Sequence, residues 1–371
     1  MRATQAERER LRADFVRLCE IPSPSRRERA AADYVAAELG LEVSEDASAG
    51  ETGADAGNLY ARIPAPEGAP TILLCAHLDT VPLTGPIEVD ESEGRFTNRF
   101  EAILGADNKA AVAAFMGVAR RFAEGAPVGI EFLFTTCEER ALAGAKAFDR
   151  SRLSADFGFV FDHASPIGEL ILAAPSYFRV EAEFHGRAAH AGIRPEDGRS
   201  AIVAAANAVS RMELGRIDDE TTANVGRIDG GTAANVVAER CRVELEARSV
   251  DPEKATRTVE RMVDALTDAG SDAECDVETH VEEQFRAYRI PRGAQPVATA
   301  ASALAQLGIE PQYVTTGGGS DANVFNAEGL PCLNVANGTA HNHEPDEFVT
   351  VEALEGAFDL ALTLVECSGS R

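Results

Sequence analysis

The chain has 371 residues, of which 45% are hydrophobic and 26% charged, an ordinary globular composition with more length than one hydrophobic core usually serves. Its formal net charge of −26 repels polyanions, so neither nucleic acid nor an anionic membrane is an expected partner. No apolar run is long enough to span a bilayer, and the scattered cysteines, with no CxxC pair, exclude a disulfide framework and a thiolate metal site in favour of buried free thiols.

The first stretch, MRATQAERERLRADF, is charged and reads as an amphipathic helix rather than a signal peptide, which makes the cytoplasm the expected location. Helical apolar spacing covers residues 4–19 and 26–39, separated by the breaker Pro22-Ser-Pro24. Strand-like runs follow at Asn58–Ile63, Thr71–Ala76, Gly129–Thr135 and Phe157–Phe161, with a helix opening near Asp107. Strands alternating with helices predict an α/β fold, a sheet with helices on both faces. From about residue 176 the pattern changes. A strand (SYFRVEAEFHG), a helix (SAIVAAANAVSRM), strands around Ala223–Ile228 and Val236–Arg248, a helix behind Asp251-Pro252 and a strand in DAECDVETHVEE follow in turn. The order βαββαβ is that of a ferredoxin-like α+β layer. The expected organisation is a catalytic α/β domain in two pieces, 1–175 and 289–371, around an inserted domain at 176–288.

Chemistry-bearing side chains sit where such a sheet would gather them. His77 follows TILLCA, Glu138 and Glu139 follow EFLFTTC, and Asp162 follows FGFVF, each at the carboxyl end of an apolar strand. Asp79 alternates with His77 and suits a carboxylate that orients an imidazole. Asp107 stands at a helix start, where an N-cap is expected on local grounds and a bridging carboxylate on chemical ones. Asp162-His163 offers two ligands, as do His341 and His343 in TAHNHEPDEF, and spacing does not choose within either pair. Histidine and carboxylate donors in this number suit a pair of zinc ions with an unligated carboxylate as base. His190 lies in a Gly-, Ala- and Pro-rich loop, HGRAAHAGIRPEDGRSAI, able to approach a ligand closely.

The motifs AHLDTVP at 76–82, LGADNKAAVAA at 104–114, TCEE at 136–139, GRAAHAGIRPEDGRSAI at 186–202, GRIDGGTAANVVAERC at 226–241 and GGGSDANVF at 317–325 resemble, in order, those of the co-catalytic zinc peptidase and aminoacylase family. That family contains tripeptidase T, carboxypeptidase G, acetylornithine deacetylase and succinyl-diaminopimelate desuccinylase, and the tripeptidase T-like members are the nearest likeness. The resemblance implies a zinc-aminopeptidase-like catalytic sheet and a ferredoxin-like dimerisation insert. It implies His77, Asp107, Glu139, Asp162 and His343 as ligands of two zinc ions, for which cobalt or manganese could substitute. Glu347 would take the position of the Glu that follows the last ligand. Asp79 would support His77, Glu138 would be the general base, and His190 would reach the substrate carbonyl across a homodimer. Asn235, Gly318 and Gly319 fall at positions near the substrate, and Arg289 is a candidate for a carboxylate-binding arginine. Aminopeptidases of the family tend to carry Asp at the position of Asp162, where carboxypeptidases and deacylases tend to carry Glu. The expected activity is therefore hydrolysis of short peptides from the N-terminus, with an N-acyl amino acid deacylase as the alternative and a non-catalytic metal- or peptide-binding relative as the outsider.

Overall fold

A computed structural model of the chain describes residues 1–369, and these divide into two compact units. One unit holds Met1–Leu172, Ile290–Thr315 and the chain from Ser320 onward; the other holds Ala173–Arg289 with Thr316–Gly319.

The core of the first unit is a mixed sheet. The strand Thr71–His77 lies between Gly129–Thr135 and Phe157–His163 and runs parallel to both. Cys332–Ala336 continues the parallel set beside Phe157–His163, while Leu59–Ile63 and Glu169–Ala174 close it with antiparallel neighbours. Thr71–His77 is buried from its second residue to its last, as a parallel strand covered on both faces should be. The helix Ala106–Arg121 is buried along nearly its whole length, with Val112, Phe115 and Met116 fully inaccessible. The helix Gln5–Glu20 starts at Thr4, which exchanges hydrogen bonds with Glu7 in a capping box worth about 1 kcal/mol. The second helix spans Arg29–Glu38 rather than beginning at 26. The chain at Arg26 is left-handed (φ 76°), which delays the helix.

A small antiparallel sheet escaped the sequence reading. Its order is Thr339–Ala340, Phe348–Thr350, Arg95–Asn98, Val89–Ser92. It pins both ends of the 341–347 loop, which carries His343 and Glu347.

The second unit is an antiparallel sheet ordered Gly215–Arg216, Thr221–Gly230, Arg240–Ser249, Ser176–His185, Asp276–Phe285. The helices Ala201–Arg211 and Pro252–Asp272 cover one face, packing Ala204, Ala208, Met262 and Leu266 on Val180, Phe184, Val243 and Leu245. Asp251 caps the second helix by accepting from the Glu253 and Lys254 amides at 2.9 and 3.2 Å. The other face carries exposed ion pairs such as Arg179–Glu244 and Arg240–Glu183, both 3.2 Å, each worth about 0–1 kcal/mol. The strand expected from Val236 begins at Arg240. Val237 donates instead to the Ala189 carbonyl (2.9 Å), drawing the preceding segment against the His190 loop.

All seven cysteines are buried and free. No helix among the described residues is long and apolar enough to cross a membrane.

Candidate active site

The strand register sets the site. His77 pairs in register with Thr135, and Cys75 with Val160, so the parallel strands end level with one another. His77, the residues just after Thr135 and those just after Val160 therefore meet at one edge of the sheet. Period-two alternation separates Asp162 from His163. The Asp162 Oδ1 lies 3.6 Å from His77 Nε2, whereas His163 turns to Glu169 at 3.7 Å.

The remaining members arrive from three loops. Asp107, at the start of a helix whose N-cap is Gly105 in a left-handed conformation, places Oδ1 3.4 Å from His77 Nε2. His343 Nε2 lies 3.2 Å from Asp107 Oδ2 and 2.7 Å from Glu139 Oε1. Asp107 thus stands between two imidazoles, one facing Asp162 and the other facing Glu139. His341 points elsewhere, to Asp346 at 2.6 Å. Glu138 is buried beside this group and its carboxyl is raised well above the usual range, by burial first and then by Asp162.

The electrostatics are those of a pocket short of positive charge. Burial disfavours a charged His77, yet its contacts with Asp107, Asp162 and Asp79 outweigh that and raise it well above an ordinary histidine. Hydrogen bonding to Asp107 and Glu139 raises His343 to about 10. Asp107 resists burial and is held low by His343 and His77. Burial lifts Glu139 and Asp162. Carboxylates that force protons onto two imidazoles would stabilise any cation placed among them.

Buried polar residues brace the site; Asp79 and Glu347 were expected there, whereas Lys109 and Asp321 were given no role from sequence. Asp79, fully buried, accepts from Ser25 Oγ at 2.7 Å and from the Glu138 and Glu139 amides at 2.9 and 3.2 Å. It thus holds the glutamate pair, and it lies 3.5 Å from His77 Nδ1 as well. Glu347 accepts from the Gly105 and Asp107 amides at 2.8 and 3.0 Å and so fixes the Asp107 turn; burial raises it to about 7. Lys109, buried, donates to Ser23 Oγ and to the Leu78 carbonyl, and burial lowers it to about 8. Asp321 accepts from Thr135 Oγ1 at 2.6 Å beneath the site, and burial raises it to about 6. Cys137 adjoins Glu138, but burial pushes its thiol up to about 12, which keeps it protonated and unreactive.

The other expected residues belong to the second unit. His190 is exposed, and its Nδ1 accepts from the Gly192 amide at 3.2 Å. Asn235 is exposed, and its carbonyl accepts from the Ala191 amide at 3.0 Å. Gly318 donates to Thr316 Oγ1 at 3.1 Å, and Gly319 lies so close to the Phe285 ring that a Cβ would fall 2.2 Å from it. Arg289 pairs with Glu220 at 2.5 Å.

The residues fit a metal group. Ligand atoms of His77, Asp107 and Asp162 lie within 4.8 Å of one another, as do those of Asp107, Glu139 and His343 and those of His77, Glu138 and Glu139. His77 Nε2 and Asp107 Oδ1 are buried without hydrogen-bond partners and face one another, as ligand atoms do before an ion joins them.

Comparison with known proteins points the same way. Residues 174–274 match the M20 peptidase dimerisation domain, and residues 58–185 match peptidase family M28. The uncharacterised protein YqjE of Bacillus subtilis is 37% identical over 96% of this chain and 98% of its own. Among solved structures, the aminopeptidase PepT of Bacillus cereus is 36% identical, with a TM-score of 0.87 over 97% of this chain and 98% of its own. A tripeptidase of Staphylococcus aureus is 32% identical, with a TM-score of 0.91 over 98% of this chain and 99% of its own. The chain belongs to the peptidase T-like group of the M20 metallopeptidases.

Proposed function

We propose that this metallopeptidase binds two zinc ions per chain and releases the N-terminal residue of short peptides, tripeptides among them. The observation that carries the reading is the cluster in which Asp107 faces His77 and Asp162 on one side and Glu139 and His343 on the other. In this reading His77 and Asp162 serve one ion, Glu139 and His343 the second, and Asp107 both. The ions, when bound, acidify a water and polarise the scissile carbonyl. Imidazole and carboxylate donors also accept cobalt and manganese.

The chain's own residues then divide the remaining work. Glu138 takes a proton from the attacking water and passes it to the leaving amine. Asp79 keeps His77 and the Glu138-Glu139 backbone in place. His190, acting from the partner chain, donates to the carbonyl oxygen as it becomes an oxyanion. Asn235, Gly318 and Gly319 border the substrate, and Arg289 would have to leave Glu220 to meet a substrate carboxylate.

The surface of the inserted unit supports a homodimer formed through it. Gly215–Arg216 covers only Thr222 and Ala223 of the strand Thr221–Gly230, leaving the later residues with an open edge. Ile202, Val203 and Ile228 are exposed at 40%, 54% and 50%, apolar groups that a partner would cover. The buried free thiols suit a reducing compartment such as the cytoplasm.

The assay that tests the substrate class compares a tripeptide panel with N-acetyl and N-succinyl amino acids in the presence of zinc or cobalt. Tripeptides with a free α-amino group should be cleaved after the first residue, and blocking that group should abolish cleavage. Rapid turnover of the N-acyl amino acids without tripeptide cleavage would move the assignment to a deacylase.

A further inference from the structure

We infer that Glu28 is a positioning residue for the glutamate pair, acting through the backbone of Cys137. The inference rests on the assignment of Glu138 and Glu139 as base and ligand. The strand that delivers them ends at Thr135, and four successive amides beyond it have no strand partner. Side chains from elsewhere in the chain take all four. The Thr136 amide donates to Asn58 Oδ1 at 3.0 Å, Cys137 to Glu28 Oε1 at 3.0 Å, and Glu138 and Glu139 to the two oxygens of Asp79. Within this set Cys137 has φ 53°, a left-handed conformation that a side chain with a Cβ adopts only when its surroundings impose it. The turn placed there directs two neighbouring glutamates to different tasks.

Glu28 is buried where it serves both its own 26–28 turn and the glutamate turn. It precedes the helix Arg29–Glu38 at the N-cap position, yet its side chain makes no cap hydrogen bond. Its carboxylate is turned inward instead, fully buried, with Oε1 accepting from the Cys137 amide, the Arg26 amide (2.9 Å) and the Cys137 thiol (3.3 Å), while Oε2 has no hydrogen-bond partner. Burying a carboxylate so incompletely paired is unfavourable, and a residue kept only for stability would not need it. The same segment sends Ser25 Oγ to Asp79 Oδ2, so 25–28 grips the glutamate turn at two points.

Three variants test this, with kinetics, metal content and amide hydrogen exchange of the 136–139 segment measured on each. Glu28→Ala should lower kcat by about 10²-fold, since a shift of about 1 Å in a catalytic group costs that much. KM should stay within about twofold, the metal content should be unchanged, and exchange at 136–139 should speed up. Glu28→Gln keeps an acceptor of the same length and should restore most of the lost kcat and the protection. A Glu28→Ala protein with a lower melting temperature but unaltered kcat and unaltered exchange at 136–139 would overturn the inference. If Glu28→Ala does not fold, Glu28→Asp decides: its carboxylate is one methylene short of the Cys137 amide, so its kcat must fall below that of Glu28→Gln. The reverse order would show that charge and not reach is needed, and would also overturn the inference. The exchange measurement reports the hold on the turn whichever glutamate takes the proton, so it separates this inference from the base assignment.

Discussion

Replacing Glu138 by Gln should lower kcat by about 10²–10⁴-fold, the range a general base contributes, with both metal ions retained. The side chain is isosteric, and the backbone that carries it is held by the Asp79 carboxylate, which the substitution leaves untouched. What changes is the ability to take a proton, because an amide cannot do so near neutral pH. Glu139→Gln should behave differently. Glu139 meets His343 at 2.7 Å, and His343 in turn meets Asp107 at 3.2 Å, so loss of its charge should weaken metal binding first and activity as a consequence. Kinetics and elemental analysis on the two variants, side by side, separate the roles. Loss of metal in Glu138→Gln with retention in Glu139→Gln would reverse them.

His190→Ala should lower kcat by about 10²–10³-fold, as removal of an oxyanion donor does, without loss of metal or of folded structure. The Gly192 amide donates to Nδ1, which leaves the ring proton on Nε2, where it can serve as an outward donor from an exposed loop. If that donor acts on the partner's site, subunits of His190→Ala exchanged with subunits of Glu138→Gln should recover activity. One site in each mixed dimer would then be whole, and random exchange would return up to about a quarter of the native rate. Exchanged dimers with no recovery would reject action across the interface.

The catalytic sheet was legible because its parallel strands are buried on both faces and read as unbroken apolar runs, and because His77, Glu138-Glu139 and Asp162 directly follow such runs. The insert was legible from its alternating strands and from Asp251-Pro252 at a helix start. Choices between neighbours were not legible from spacing, and only the family resemblance favoured Asp162 and His343. Asp162 rather than His163 faces His77 because of which face of the strand each occupies, and that follows from the register with Thr71–His77. His343 rather than His341 meets Asp107 because the loop is anchored by a small sheet whose short strands, two to four residues each, give almost no periodic signal. The supporting polar residues were the least visible. Glu28 bonds a residue 109 positions away, Glu347 one 240 positions away and Asp321 one 186 positions away. Such pairs leave no local pattern: Glu28 and Asp321 read alone as ordinary surface carboxylates, and only the family resemblance pointed to Glu347.

The proposed chemistry needs a two-metal centre built from His77, Asp107, Glu139, Asp162 and His343. Elemental analysis of fully active protein, before and after exhaustive chelation and again after adding zinc back, tests it most directly. The prediction is two ions per chain in the active protein, none and no turnover after chelation, and recovery of both on addition of zinc. Full activity with one ion per chain, or with none, would contradict it.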